Sequence, residues 1–564
     1  QANAYGAATD GVVTATISNT AVADLVNLTT ANTDLLTITL AAGTATAANL
    51  STIAGKTGST VDATAITAVT GTATQVNSLI AEEGNSGDKI NLDNDFTATI
   101  SDTTITATLL NTTDGNVPGL LTASDVTTIT GSAADANTAY ASTGINGLGN
   151  EAVTLTDTGT LAASVLVTLD SNTTGTIDAG LITGLTGTSA DLAALYTSNG
   201  EATGISGLGN ETVSIVEPTT STAIADANLI NAATTGAVTA TLASGSMSEL
   251  ASLTGDESQV YTITITDSSV NASEISTLED KTSVALNLSS VSTIVGTDAE
   301  IKAVYVLDQN GDVTGLGNEN LTVSNTSTIT ELNDLNSETS GVITATVEAG
   351  TLSSINSLTG TGNNYSITLT DTSIAASDLN TLNGKTIGLI TATSVTSITG
   401  TASAIATLMA AEGDSGNAVN LDGDFTVTID SGVVDASDLN TISSKTSGTV
   451  NATAATAING TATEVTNALA DSEITHSSNF STTVSGTATV DQLTAIDEAT
   501  SSSVGATGVT AITGSITQVK ALLVIETNPG TSGQQIDLDT DFAVTINDTG
   551  TVDAADLNTI NEAT

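Results

Sequence analysis

The chain has no cysteine, no tryptophan and no arginine, and its 564 residues include one histidine and three prolines. Without cysteine there are no disulfides, thiolate metal sites or cysteine nucleophiles. Aromatic residues are 2% of the chain, so any core is thin and filled by small aliphatic side chains. Seven basic residues, all lysine, stand against 61 acidic ones, for a net charge of -54. That charge repels nucleic acid and anionic lipid, which excludes polyphosphate partners. It is tolerable in a salty, cation-rich medium, where screening is strong. No run of about 18 apolar residues occurs, so membrane insertion is not expected. Gln1 opens no signal peptide, as expected of a mature chain or an excerpt.

What remains is a narrow alphabet of Thr, Ala, Ser, Gly, Asn and Asp, with Val, Ile and Leu spaced between them. At 39% apolar the chain is too hydrophobic for a disordered acidic tail. One segment recurs throughout: Val433-Val-Asp-Ala-Ser-Asp-Leu-Asn-Thr-Ile442, with close copies at Val270–Leu278, Ile374–Leu382 and Val552–Ile560. Self-similarity of this kind is the signature of stacked repeats. No proline-rich linker or charge block interrupts it, so residues 1–564 read as one continuous body without a globular domain boundary.

Each repeat opens on a strand that alternates apolar residues with threonine, as in Val13–Ile17, Phe96–Ile100, Ile343–Val347 and Phe425–Ile429. The alternation turns one face to a core and the other to water. A turn follows, then a second extended piece, then a helical turn such as Ser437–Ile442, with Ser437 expected as N-cap and Leu439 and Ile442 inward. Two coil types alternate. The short one has roughly 22 to 25 residues, inside the range of known stacked repeats. The long one carries an extra helix opened by Gly-[Thr/Ser] at Gly71, Gly131, Gly187, Gly296, Gly400, Gly460 and Gly514. Thr72, Thr297, Thr461 and Ser515 with Gln75, Glu300, Glu464 and Gln518 match the capping box, Asp135 and Asp191 approximate it, and Ala404 breaks it. From Thr188 to Thr297 and from Thr297 to Thr401 extra short coils are expected to interrupt the period. The fold class is therefore mainly β with short helices, a parallel β-solenoid of roughly 20 stacked coils and on the order of 95 Å long. Neither end carries a polar capping repeat, so the ends look uncapped. The expectation is a piece of a longer array, or copies of the chain stacking head to tail through open strand edges.

The candidate sites are few. Long coils end either on Asp-x-Asp-Phe or on Gly-Leu-Gly-Asn-Glu, the latter at Glu151, Glu211 and Glu319. In the first ending Asp93 with Asp95, Asp422 with Asp424, and Asp537 with Asp539 and Asp541 could converge hard oxygen ligands on Ca²⁺. The alternative is that these aspartates form turns. Lys56, Lys281, Lys385 and Lys445 share a Lys-Thr corner, as a stacked salt bridge, an isopeptide partner or a plain surface lysine. His476 sits in a polar stretch and receives no role. Thr-x-Thr pairs such as Thr14/Thr16, Thr97/Thr99 and Thr426/Thr428 would suit ice binding if they formed a flat array, but Asp62 and Asp178 interrupt comparable strands. No cleft of base and cations can be assembled, so no enzyme is expected.

Leu439-Asn-Thr-Ile-Ser-Ser-Lys-Thr446 and Ile458-Asn-Gly-Thr-Ala-Thr-Glu-Val465 resemble phrases in very large, acidic, Thr/Ala/Gly-rich repetitive bacterial cell-surface proteins, adhesin-like or surface-layer-like, including those of marine cyanobacteria. The resemblance implies secretion and a surface or matrix role, and it carries over no functional residue. The reading is an extracellular structural repeat protein that builds a rod, fibre or surface-layer element. The alternatives are a Ca²⁺-dependent adhesin stalk and an ice binder, with divalent cations or surface polysaccharide as further partners.

Overall fold

The computed structural model describes residues 1–83, 87, 89–218, 221–412, 418–527 and 535–564. Packing divides them into two compact units, residues 1–266 with 277–287, and residues 267–276 with 288–564. Both units are built from parallel strands and short helices.

The strands follow from the alternation. Along Ile343–Val347 and Thr426–Ile429 the inward Ile, Ala and Val are buried while the threonines between them face outward or sit half-buried. β-Branched residues favour such a pleated, half-buried surface. Within each unit every pairing is parallel and joins a strand to its counterpart one turn later. Thr104 faces Thr128 and Thr128 faces Ala152, each 24 positions on. The extremes are Thr344 opposite Asn364, 20 positions on, and Val504 opposite Ile536, 32 positions on.

A helix of four to thirteen residues closes each turn. Helices this short are marginal alone, so packing must hold them. The inward face repeats every third residue: Ala73, Val76 and Leu79; Ala133, Ala136 and Ala139; Ala436, Leu439 and Ile442. Leu439 and Ile442 are thus inward as expected. Ser437 is not the N-cap: the helix Ala436–Ser443 starts one residue earlier, after Asp435, with no side-chain cap. The wholly buried Ala436 is fixed there by Gly460 of the next turn, where an added Cβ would stand 3.3 Å from the Cβ of Ala436. The same contact recurs between Gly131 and Ala107 at 3.2 Å and between Gly187 and Ala163 at 2.8 Å.

Among the described residues the turns after helices Ala73–Glu83, Ala133–Ala141 and Ala402–Ala411 carry three strands, and the turns after other helices carry one or two. After helix Ala47–Ala54 come Val61–Ala63 and Ile66–Gly71; after helix Ala73–Glu83 come Ile90–Leu92, Thr97–Ile100 and Thr104–Thr106. The surplus strand shifts the ladders sideways. One five-stranded sheet runs Gly43–Thr46, Ile66–Gly71, Thr97–Ile100, Leu121–Thr122, Ile145–Asn146, and the next starts at Thr104–Thr106 and ends at Ile205–Ser206. In the second unit a five-stranded sheet runs likewise from Ser373–Ala375 to Ile474–His476. Each of the three third strands, Thr104–Thr106, Gly159–Ala162 and Gly432–Asp435, thus opens a new sheet, and neighbouring sheets overlap.

Extra turns intervene on both sides of Thr297 as expected: three helices lie between Ser189–Ser198 and Asp298–Asn310, and three between the latter and Ala402–Ala411, where one lies between Ala133–Ala141 and Ser189–Ser198. Among them, Gly245-Ser246 and Gly350-Thr351 open the four-residue helices Met247–Leu250 and Leu352–Ile355. Each helix is followed by a Ser-Leu-Thr-Gly run whose glycine, Gly255 or Gly360, takes a positive φ of 125° or 78°. The capping boxes of Thr297 and Thr461 form as expected, and Thr72–Gln75 and Ser515–Gln518 make the same reciprocal bonds. A second cap comes from the following turn: Asp102, Asp157 and Asp371 carboxylates accept the first helical N–H of Ala73, Ala133 and Leu352 at 2.7, 2.8 and 2.6 Å. Negative charge is favourable at that end of a helix.

Candidate functional site

The seven aspartates lie in the turns that lead to Phe96, Phe425 and Phe542. Asp93 is half-buried and Asp95, Asp422, Asp424, Asp537, Asp539 and Asp541 are exposed. Two of them close their own turns: the Asp422 carboxylate accepts the N–H of Gly423 at 2.8 Å, and Asp539 that of Thr540 at 2.7 Å. Among the described residues no three His, Cys, Asp or Glu side chains come together as a metal site needs.

In three of the four Lys-Thr corners the lysine turns to a backbone carbonyl. Lys385 donates to Leu358 at 3.0 Å, Lys445 to Glu412 at 3.0 Å and Lys281 to Gly255 at 3.3 Å. Glu412 is the C-cap of helix Ala402–Ala411, so Lys445 satisfies an orphan carbonyl there. The described ion pairs fall elsewhere, between Lys302 and Asp334 and between Lys520 and Asp556. His476 stacks edge-on against Phe480 with ring centres 5.3 Å apart. The threonines do form rows, Thr46–Thr70–Thr99–Thr122 and Thr106–Thr130–Thr154. The second row runs on into Asp178 and Ser206, and Ala68 stands between Thr44 and Thr97 in the rank beside the first. No helix among the described residues is long and apolar enough to cross a membrane.

The most elaborated chemistry is interior. Glu151, Glu211 and Glu319 are at most 1% exposed. Each accepts the hydroxyl of a tyrosine eight residues beyond the Ser or Thr that opens the preceding helix: Tyr140 to Glu151 at 2.9 Å, Tyr196 to Glu211, and Tyr305 to Glu319. The N–H groups of Gly149, Gly209 and Gly317 donate to the same carboxylates at 2.8, 2.7 and 2.7 Å. From the next turn Thr173, Thr234 and Thr339 donate their hydroxyls to the glutamate carbonyls, each at 2.7 Å. Burial, with the carboxylate beside it, holds Tyr196 and Tyr305 well above the ordinary phenol range. Burial raises Tyr140 too, against the opposing hydrogen bond of Thr173.

The other long turns fill this position differently. Phe96, Phe425, Phe480 and Phe542 replace the glutamate, and Ile80, Met409, Leu469 and Leu523 replace the tyrosine. Where the helix is cut to four residues, Tyr261 and Tyr365 occupy the place, both buried and both pushed up to about 12 by that burial. Three solutions therefore occupy one place in the turn: an apolar residue with Phe, Tyr with Glu, or a short helix with Tyr. The Gly-Leu-Gly-Asn-Glu ending was visible in the sequence, but its buried role was not. The signal was the tyrosine eight residues after Ser132, Thr188 and Thr297, present only where a glutamate follows.

These features define a class: a parallel-stranded repeat protein with short helices, whose polar chemistry is spent on joining one turn to the next. No family model, curated protein or solved structure matches the chain.

Proposed function

We propose that the chain is an extracellular structural repeat protein and that each of its two units is a parallel β-solenoid supplying length and surface. One observation carries this reading: within each unit, strand after strand finds its partner one turn later, in parallel and 20 to 32 positions on. With roughly ten helix-closed turns in each unit and about 4.8 Å per rung, a unit extends on the order of 50 Å. Stability in such an array is a sum of neighbour terms, which lets length grow without a larger core. The charge supports an outside location. A net -54 with no arginine keeps the chain soluble and away from nucleic acid and anionic lipid, and it is best tolerated where salt is high. Further copies of the chain are the partners that suit parallel ladders, since exposed strand edges extend by the same backbone pairing.

Two images test the proposal together. Negative-stain microscopy of the purified chain is expected to show each unit as a slender body of uniform width. Immunogold labelling of intact cells that make the chain is expected to decorate their surface or the matrix around them. Round particles would remove the structural role, and label confined to the cell interior would remove the location.

A further inference from the structure

The three Tyr–Glu pairs and the four aliphatic–Phe pairs occupy the same place in the turn but differ in physics. A Phe joint buries carbon against carbon and gains stability with the area removed from water. A Glu joint buries a carboxylate, whose desolvation its partners must offset. At Glu151 that offset is incomplete: one carboxylate oxygen, Oε1, is buried without a hydrogen-bond partner while Oε2 takes both the Tyr140 hydroxyl and the Gly149 N–H. A second, independent feature marks the same turns. Each Glu is preceded by two glycines held in the left-handed region, Gly147 and Gly149 (φ 88° and 140°), Gly207 and Gly209 (88° and 130°), Gly315 and Gly317 (91° and 123°). Glycine loses the most backbone freedom on ordering. The Asp-x-Asp-Phe turns contain no glycine of that kind.

We propose that the turns closed by Glu151, Glu211 and Glu319 are built-in parting points, where the stack opens first and recloses while the Phe96, Phe425 and Phe480 turns on either side in sequence stay shut. In an array whose stability is a sum of neighbour terms, a weaker joint sets where local opening begins. The Tyr–Glu pair suits such a joint. Its hydrogen bonds re-form only in register, and an opened carboxylate regains its hydration, so a parted turn exposes less apolar surface than a parted Phe turn.

Amide hydrogen exchange on the full chain, read by mass spectrometry, tests this directly. Residues 145–155, 205–215 and 313–323 are expected to exchange at least about tenfold faster than residues 90–100, 419–429 and 474–484. Equal rates in the two sets would overturn the proposal. The matched exchange Tyr305→Leu with Glu319→Phe is expected to slow residues 313–323 to the level of the Phe turns. The reverse exchange Met409→Tyr with Phe425→Glu is expected to speed residues 419–429. If the Tyr305→Leu/Glu319→Phe chain instead exchanges faster at 313–323, the Tyr–Glu pair is a strong joint and the assignment is wrong. Should either variant fail to fold, the comparison of the six segments in the unaltered chain decides alone.

Discussion

A methyl group on Gly187 would stand 2.8 Å from the Cβ of Ala163, closer than packed carbons approach. Gly115, by contrast, lies in the helix Ala107–Asn116 with open space where a Cβ would go. The two therefore respond with opposite sign. Gly187→Ala is expected to cost about 1–3 kcal/mol through overpacking, and Gly115→Ala to gain about 0.5–1 kcal/mol by stiffening the unfolded chain. Denaturant titration of each variant checks both. Asp497 gives a pH-dependent case. It is 5% exposed, its Oδ1 has no partner, and burial, then the neighbouring Glu498, push its carboxyl above the ordinary value of 3.8. Because the folded state disfavours the ion, Asp497→Asn is expected to stabilise at pH 7 by about 1 kcal/mol. The advantage should shrink as pH falls through the raised pKa towards 3.8, where the native side chain becomes neutral as well. An advantage that holds constant down to pH 4, followed by thermal melts, would contradict the assignment. At this scale the sequence was only partly legible. Apolar positions could be placed inward from their spacing, but Glu151, Glu211 and Glu319 could not, because a glutamate in a Gly-Leu-Gly-Asn loop looks like surface until a tyrosine is seen to reach it.

At the scale of elements, the helices depend on groups outside themselves. Their own hydroxyl caps were readable from Gly-[Thr/Ser] spacing, and the capping boxes at Thr297 and Thr461 follow that spacing. The carboxylate caps were not readable, since Asp102, Asp157 and Asp371 come from the following turn and only stacking brings them to Ala73, Ala133 and Leu352. Asp157→Ala removes one acceptor and one favourable charge from the N-terminus of helix Ala133–Ala141. It is expected to cost about 1 kcal/mol and to raise exchange in that helix before the rest. Uniform loss of protection over the whole unit would mean the cap is not local. The short helices Met247–Leu250 and Leu352–Ile355 were missed for a related reason. A helix of four residues leaves too little periodicity to recognise, and only its Gly-Ser or Gly-Thr start survives as a mark.

At the scale of the whole molecule, a third strand in some turns starts a new sheet while the neighbouring sheet is still running. The repeat, the parallel pairing and the thin aliphatic interior were legible because the same strand–turn–helix pattern recurs along the chain. The stagger was not, because it arises from counting strands per turn, and strands as short as Leu121–Thr122 and Ile145–Asn146 leave no alternation to count. All of these inferences depend on each turn lying on the one before it, in parallel and in register. With no native cysteine, paired cysteines can measure this without background. Thr104 faces Thr128 across one rung, whereas Thr130 shares the outward face two residues further on. Under mild oxidation Thr104→Cys with Thr128→Cys is expected to close a disulfide, since Cα atoms one rung apart fall inside the span of roughly 4.4–6.8 Å that the bond requires. Thr104→Cys with Thr130→Cys is expected to stay open. If the displaced pair closes as readily as the aligned one, or if neither closes, the turns are not stacked in this register and the account fails.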